Sequence, residues 1–301
     1  MKYLKAFSML LITVLLTGCI SEDLDDCVRA QVYFSYHGDG TKQIFKQQIN
    51  KLDLYVYDSQ NKLVETRVIE QNELHNKQKT EFSLPSGEYN LIAIGNKFQN
   101  TEIRDANVGT RSQIQVAHPY YFDSSSNKEI PTNDSLYYGY HRLVIPDKYT
   151  MVYDTMPFAS SHLKMEIDVF GLGESSANPG QPYARLAMDK LTAVTNFENQ
   201  ANKSQQRTYY PNTTYNKDNI HLRSKFYILR HDEDTEVTVD LKTPEGNYLT
   251  VRLDTFLRSH SDIIDLDNHE VLIPMEIKIE GLKVTVKVPD WYINEVDPGI
   301  K

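Results

Sequence analysis

The stretch HLKMEIDV, residues 162–169, shows the clearest periodic pattern in the chain. Its apolar residues alternate strictly with charged ones: Leu163, Met165, Ile167 and Val169 stand between Lys164, Glu166 and Asp168. Successive side chains of a β-strand point to opposite faces of the sheet. The alternation therefore predicts a strand with one buried face and one polar face.

Similar patterns continue in both directions from this stretch. Before it lie residues 31–36, 52–57, 62–70, 82–89, 89–95 and 137–144. After it lie residues 186–195, 225–230, a hairpin over 235–253 and a final pair at 271–279 and 282–288. Short strands at this spacing, with little evidence of helices, predict an all-β fold of two tandem antiparallel β-sandwich domains, or of two barrels. A change of pattern near residues 146–158 divides these domains into residues 29–150 and 151–301.

Two segments lack a clear strand pattern. Residues 100–116 are consistent with a short helix or a loop. Residues 196–219 are polar and have no apolar spacing of the helical kind, which predicts a long insertion.

Composition and charge exclude several classes of protein. The chain has 301 residues, which suits about two domains at roughly 100–200 residues each. Its formal net charge of −9 argues against a nucleic-acid partner. Two cysteines are too few for a disulfide framework or a four-thiolate zinc site.

The first residues differ from the rest of the chain. A short basic segment precedes an apolar run at residues 7–16, which is too short to span a bilayer, and LTGC follows at residues 16–19. This order resembles the signal peptide and lipobox of a bacterial lipoprotein. The resemblance implies that residues 1–18 are a signal peptide, that Cys19 carries a covalent lipid and that residues 19–28 form a tether. A secreted protein with a chance cysteine is the alternative.

Four carboxylates follow the lipobox within the tether: Glu22, Asp23, Asp25 and Asp26. Their mutual repulsion predicts a solvated linker. They also resemble the acidic export tag of surface lipoproteins in Bacteroides-type bacteria, which implies exposure at the outer surface of the outer membrane. Cys27 is the remaining thiol of the mature chain, and the sequence assigns it no role.

Motifs of common catalytic sites are missing from the sequence. Residues 171–176, GLGESS, follow a strand but do not open into a helix that could hold a pyrophosphate, so we predict a loop with positive φ. The set Asp262, Asp265, Asp267 and Glu270 could ligate calcium, but its spacing is not that of an EF-hand and favours a solvated turn. We predict no enzyme, no metal and no cofactor beyond the lipid on Cys19, although a triad of scattered residues remains an alternative.

Tyrosine-rich stretches offer one candidate binding surface. Residues 119–122, PYYF, and residues 136–140, LYYGY, could present rings to the apolar faces of sugars. The other interpretation, which we favour, is that these rings pack against the edge of a sandwich.

Five further segments resemble one family in their order along the chain. They are the acidic stretch ending at Cys27, then VYFSY at 32–36, INKLDLYVYD at 49–58, LPSGEY at 84–89 and VKVPDW at 286–291. Together with the lipobox they are similar to the FimB-type fimbrial anchor lipoproteins, the family of the minor fimbrium anchoring subunit.

This resemblance implies a fold, a location and a partner. The expected fold is a pair of transthyretin-like β-sandwiches, and the expected role is a fimbrial (pilus) anchor subunit in the cell outer membrane. The expected partners are fimbrial shaft or accessory subunits, joined by strand addition. Shaft subunits lose their first strand at an arginine, whereas here Arg29 is the one candidate cleavage site. That difference fits a subunit that ends the polymer.

Two questions stay open at this point. The alternative function is a surface glycan-binding lipoprotein of a nutrient-uptake system, which the tyrosines favour and the single Trp disfavours. The last strand, residues 282–288, has an apolar face formed by Leu282, Val284, Val286 and Val288. It either completes its own sandwich, which we favour, or pairs with a fimbrial subunit. Residues 291–301 are the nearest stretch expected to be unpaired.

Overall fold

The protein is described by a computed structural model over residues 28–108, 110–123, 128–147, 149–231 and 236–296. Its strands are β1 Ala30–Ser35, β2 Leu52–Asp58, β3 Leu63–Ile69, β4 Lys79–Phe82, β5 Gly87–Gly95, β6 Glu102–Arg104, β7 Gln115–Ala117, β8 Tyr137–Ile145, β9 Val152–Ser160, β10 His162–Phe170, β11 Arg185–Thr192, β12 Val194–Thr195, β13 Gln206–Tyr209, β14 Thr214–Asn216, β15 His221–Leu229, β16 Thr238–Thr243, β17 Gly246–Arg252, β18 Leu272–Glu280 and β19 Lys283–Lys287. Its helices are α1 Phe45–Gln48, α2 Gln71–Lys77, α3 Pro119–Phe122, α4 Leu253–Ser259 and α5 Asp290–Val296. The all-β class predicted from the sequence is confirmed.

The first domain is a sandwich whose two layers share one strand. Its strands follow the order β3-β2-β5-β8-β9-β1-β4. The strand β9 belongs to both layers, because its first six residues pair in parallel with β1 and its last three pair with β8. Apolar residues from both layers, such as Val32 and Phe34 of β1 and Leu54 and Val56 of β2, fill the space between them. Burial of these alternating side chains is what holds the two layers together.

The second domain packs a five-stranded sheet against a four-stranded sheet. The orders are β14-β15-β10-β18-β19 and β13-β11-β16-β17. The stretch HLKMEIDVF forms β10, at the centre of the larger sheet, and its alternating side chains Leu163, Met165, Ile167 and Val169 are fully buried. The predicted hairpin and the predicted final pair of strands are also present, as β16–β17 and β18–β19.

The polar face of β10 is buried as well, which the alternation did not predict. Glu166 and Asp168 are almost inaccessible to solvent. The neighbouring strand β15 supplies the compensating cations, since Arg223 and Lys225 lie 2.6 and 2.8 Å from Glu166 and Arg223 lies 3.3 Å from Asp168. His221 is a further partner of Asp168, at 2.6 Å. A buried carboxylate is tolerated only when it is paired in this way.

The boundary between the domains differs from the predicted position between residues 150 and 151. The strand β9 starts at Val152 and belongs to the first domain, and β10 of the second domain begins at His162. Only Ser161 separates the two strands. The proline-containing segment at 146–151 is therefore a loop inside the first domain. The sheets are also not wholly antiparallel, because β1–β9 and β10–β18 are parallel pairs.

A small sheet of three strands joins the two domains. Its order is β12-β7-β6, so β12 of the second domain pairs with β7 of the first. The described residues of the segment 100–116 thus form β6 and part of β7, and no helix occurs among them. Residues 196–219 are not a purely polar insertion either, because they contain β13 and β14 and because Phe197 is buried against Tyr55 and Tyr57.

The expected positive φ after β10 is present at Gly171, where φ is 78°. A Cβ atom there would lie 2.0 Å from the main-chain oxygen of Ile279, so only glycine fits. None of the helices in the described ranges combines the length and the apolar character that crossing a membrane requires.

Candidate attachment surfaces

The residues predicted to attach the protein to the membrane lie outside the described residues. These are Cys19, the acidic residues Glu22, Asp23, Asp25 and Asp26, and also Cys27. The description begins at Val28, immediately before β1. Lipidation and the export tag therefore stay predictions.

The first strand of the chain is enclosed in the first sandwich. β1 pairs with β4 on one side and with β9 on the other. Its inward side chains Ala30, Val32 and Phe34 are fully buried. The chain thus fills this position in the sheet with its own strand, and a strand from another subunit would have to displace it.

Arg29, the candidate cleavage site, is part of the same arrangement. Its amide donates a hydrogen bond to the Phe82 carbonyl at 2.7 Å, and its own carbonyl accepts one from the Val152 amide at 2.8 Å. The residue is almost wholly buried. A protease needs an extended, accessible backbone at its cleavage site, so the folded protein does not present Arg29 as a substrate.

The chain beyond β1 reaches the second domain and binds its loop 266–270. The Asp39 carboxylate accepts hydrogen bonds from the amides of His269 and Glu270, at 2.6 and 3.1 Å. The hydroxyls of Tyr36 and Tyr137 both donate to Oε1 of Glu270. We call this set, Tyr36, Asp39, Tyr137 and Glu270, the domain junction. It ties the strand nearest the tether directly to the second sandwich.

The electrostatics of the junction keep both phenols in their donor form. Burial raises the pKa of Tyr36 and of Tyr137 far above the ordinary value, and the adjacent Glu270 carboxylate adds to the effect. Arg230 holds the same loop from the other side. Its guanidinium donates to the carbonyls of Leu266, Asn268 and His269 at 2.7–2.9 Å.

The acidic set considered for calcium is divided between two environments. Asp262, Asp265 and Asp267 are exposed in a turn, where Asp265 accepts the amide of Asp267 at 2.9 Å. Glu270 belongs to the junction instead. Across the described ranges, no three His, Cys, Asp or Glu side chains are arranged to hold a metal ion.

The last strand has the opposite environment to the first. β19 lies at the edge of the five-stranded sheet, where β18 is its one neighbour among the described strands. The apolar face predicted for residues 282–288 is buried only at its C-terminal end. Leu282 is fully exposed and Val284 is 40 % exposed, while Val288 is buried. An edge with free main-chain groups and exposed apolar side chains can accept a further strand.

A cleft of about 430 Å³ borders this edge. It lies between β17, the edge of the smaller sheet, and β19, the edge of the larger one. Leu249 and Val251 of β17, Phe256 of α4 and Val286 of β19 line it. The second sandwich is therefore open at the side where its two edge strands face each other.

The described part of the C-terminal segment differs from the prediction that residues 291–301 are unpaired, while residues 297–301 lie outside the described residues. Residues 290–296 form α5, and Tyr292 packs against the core of the second sandwich. The sequence suggested no helix because VPDW offers no apolar repeat of helical spacing. A truncation at residue 292 would therefore remove a packed side chain and not merely a free tail.

Most rings of the tyrosine-rich stretches pack against other parts of the protein, although Tyr120 is 37 % exposed. Tyr137 is buried in the junction, and Tyr138 donates to the Phe197 carbonyl at 2.8 Å. Tyr140 donates to Asn90 at 2.9 Å. In the other stretch, Arg207 lies over the ring of Tyr121 at 4.8 Å. These contacts agree with the packing interpretation and not with an open aromatic platform.

Comparison with solved structures finds this fold in proteins of Bacteroides and related bacteria. A candidate adhesin from Bacteroides ovatus aligns over 88 % of this chain and 94 % of its own, with a TM-score of 0.69 and 15 % identity. The fimbrial anchor protein Mfa2 from Porphyromonas gingivalis aligns over 86 % and 95 %, with a TM-score of 0.67 and 16 % identity. At such identities the likeness concerns the fold. A comparison with individual curated protein sequences gave no match.

The sequence profile of one family covers nearly the whole chain. The profile of the fimbrillin-A associated anchor proteins Mfa1 and Mfa2 matches residues 24–297, which include both sandwiches and the junction. This is a family of fimbrial anchor proteins and not of enzymes. The predicted resemblance is thereby confirmed, and the chain belongs to the Mfa2 family of fimbrillin-A associated anchor proteins.

Proposed function

We propose that this protein is the membrane anchor of a fimbrium. A lipid on Cys19 holds it in the outer membrane, and the acidic residues 22–26 direct it to the cell surface. The open edge at β17 and β19 takes an extended segment of the first fimbrial subunit. The partner is a shaft or accessory subunit, and nucleic acid is no partner.

One observation carries this proposal: the first strand is enclosed and the last strand is open. A subunit in the middle of a strand-exchanging polymer needs a vacant position for its neighbour's strand as well as a strand to give. In this chain β1 occupies its position, with partners on both sides. The position of β1 is thus closed to a strand from another subunit, which suits the protein at the end of a polymer. Membership of the anchor family supports the same role.

The tether supplies the attachment to the membrane. Cys19 precedes Val28 by nine positions, and an extended chain of that length spans at most about 30 Å. Two or three acyl chains hold a protein stably on a bilayer, whereas a single chain is marginal. The alternative, a glycan-binding lipoprotein of an uptake system, drew its support from tyrosines most of which contact other groups of the protein, so we do not retain it as the main function.

The test is a Cys19→Ala variant compared with the wild type in cells that assemble fimbriae. We expect the variant to leave the membrane fraction, to incorporate no labelled palmitate and to release fimbriae into the medium. A matched control is Cys27→Ala, which removes the other thiol and should change none of these. If Cys19→Ala still sediments with membranes and carries palmitate, the proposed attachment is wrong.

Surface exposure has its own experiment. Replacing Glu22, Asp23, Asp25 and Asp26 by their amides should leave palmitate labelling intact and protect the protein from protease added to whole cells. Unchanged sensitivity to the external protease would contradict the role of the acidic residues in export.

A further inference from the structure

The second sandwich has a large cavity at the end that faces away from the junction. β10 leaves the junction at His162, so its far end at Phe170 marks the opposite end of this domain. β11 begins and β16 ends around the cavity, which measures about 860 Å³. Sites for small molecules span roughly 300–1,000 Å³.

One wall of the cavity is a loop held by its own main chain. The Ser175 amide donates to the Gln181 carbonyl at 2.9 Å, and the Tyr183 amide donates to the Gly173 carbonyl at 2.7 Å. The Gly180 amide donates to the Glu174 carboxylate at 3.1 Å. The wall is therefore formed before any ligand arrives, which lowers the entropic cost of binding.

Two of the residues that line the cavity are cations, and both are already paired with carboxylates. Arg185 and Lys242 are cross-strand partners, and both lie by the ring of Tyr210, at 4.6 and 5.8 Å from its centre. Arg185 makes two hydrogen bonds to Glu129, at 3.0 and 2.6 Å. Lys242 binds both carboxylate oxygens of Asp189, at 2.8 and 2.6 Å. With both charges paired, the site has no excess positive field to select a phosphate or another anion.

The same pairing preserves hydrogen-bond acceptors at the cavity. The hydrogen bond from Arg185 holds the pKa of Glu129 below its ordinary value, so this carboxylate stays ionised. An ionised carboxylate has about four acceptor positions, of which Arg185 uses two. The remaining positions can take hydroxyl donors from a ligand.

Three amide side chains at the rim have no partner of their own. Within the described part of the chain, the side chains of Asn178, Gln181 and Asn212 make no hydrogen bond. An amide offers a donor and an acceptor side by side, which matches two adjacent hydroxyl groups. Between these amides lie apolar surfaces, namely the 46 % exposed ring of Tyr183 and the prolines Pro131, Pro182, Pro211 and Pro244.

We propose that this cavity binds an uncharged saccharide, with the Tyr183 ring against the C–H face of a sugar and with the amides and Glu129 on its hydroxyls. The combination of paired charges, free planar amides and apolar rings fits a polyhydroxylated, neutral ligand. The site is separate from the open edge at β19. It gives the protein a binding activity independent of anchoring.

The experiment uses the full chain, purified in detergent, and defined oligosaccharides as probes. Neutral oligomers of glucose, mannose and galactose with about three to six units are titrated by calorimetry, beside polygalacturonate of equal length. We expect at least one neutral oligomer to bind, with little dependence on salt. Tyr183→Ala should weaken binding by about three- to tenfold, the worth of one aromatic contact. The double variant Asn178→Ala with Gln181→Ala should weaken it without touching the sheet.

The matched control is Tyr153→Ala, which removes a 66 % exposed ring from the first sandwich and should leave affinity unchanged. If Tyr183→Ala fails to fold, the double amide variant decides the question. The proposal is overturned if no neutral oligomer binds, if the amide and Tyr153 variants lose equal affinity, or if polygalacturonate binds better and is displaced by salt.

Discussion

The first and the last strands of the chain have opposite environments. β1 pairs on both sides and buries its apolar face, whereas β19 has one partner among the described strands. Val284 of β19 is partly exposed, and Leu282 in the turn before it is fully exposed. Both strands show apolar alternation in the sequence. The difference comes from their neighbours in the sheets. The position of β1 is filled on both sides, whereas the outer edge of β19 has no further partner among the described strands.

The largest expected difference between the two strands is in stability. Phe34 of β1 lies among the rings of Phe45 and Phe158, at 5.8 and 6.0 Å between centres. Phe34→Ala leaves a cavity there and should lower the free energy of unfolding by about 3–5 kcal/mol. Val284→Ala in β19 should lower it by less than about 0.5 kcal/mol. Denaturant unfolding measures both, and similar small losses would mean that β1 is not part of the core.

A second effect concerns the domain junction, which connects the sandwich that contains β1 to the sandwich that contains β19. Glu270→Ala removes the acceptor of the Tyr36 and Tyr137 hydroxyls and should cost about 1–3 kcal/mol. Glu245→Ala, in the exposed turn of the β16–β17 hairpin, is the matched control and should cost almost nothing. Equal unfolding midpoints for the two variants would show that the domains are held together elsewhere.

The elements predicted from the sequence are those whose signal is local. The alternation of β10 and the turn chemistry of the β16–β17 hairpin lie within a few residues of one another. Alternation reports which face of a strand is buried but not which strand lies beside it, so the parallel partners of β1 and β10 could not be predicted. The contact between Asp39 and Glu270 joins residues 231 positions apart, and the sequence around each residue does not indicate the other.

The pH dependence of stability gives a smaller effect at the same junction. Burial lowers the pKa of His162, which is therefore neutral in the folded protein, although the hydrogen bond to the Leu136 carbonyl opposes the shift. The unfolded chain takes up a proton near pH 6.5, whereas the folded chain does so only at lower pH. Stability should thus fall as the pH drops below about 6.5.

The check is a series of unfolding curves between about pH 7.5 and 5.5. His162→Gln should reduce the loss of stability with falling pH, even if the variant is less stable throughout. The control is His141→Gln, since His141 binds the half-buried Asp154 on the first domain. A slope unchanged by His162→Gln would contradict the assignment of this histidine.

The variant that we expect to change stability least should have a large effect on the attachment of fimbriae to cells. Val284→Arg places a charge on the open edge, where the long side chain reaches solvent, and should change the unfolding free energy by about 0.5 kcal/mol or less. Strand addition at that edge would be weakened, so cells should shed more fimbriae. Val64→Arg on β3, an exposed position at the edge of the first sandwich, should shed no more than the wild type.

The most direct test of whether a fimbrial subunit binds at the edge formed by β19 is site-specific photocrosslinking in fimbriated cells. A photoreactive residue is placed at position 284 in β19 or at position 64 in β3, and the crosslinked products are identified by mass spectrometry. We expect crosslinks to a fimbrial subunit from position 284 and none from position 64. Fimbrial crosslinks from position 64, with none from position 284, would contradict this expectation.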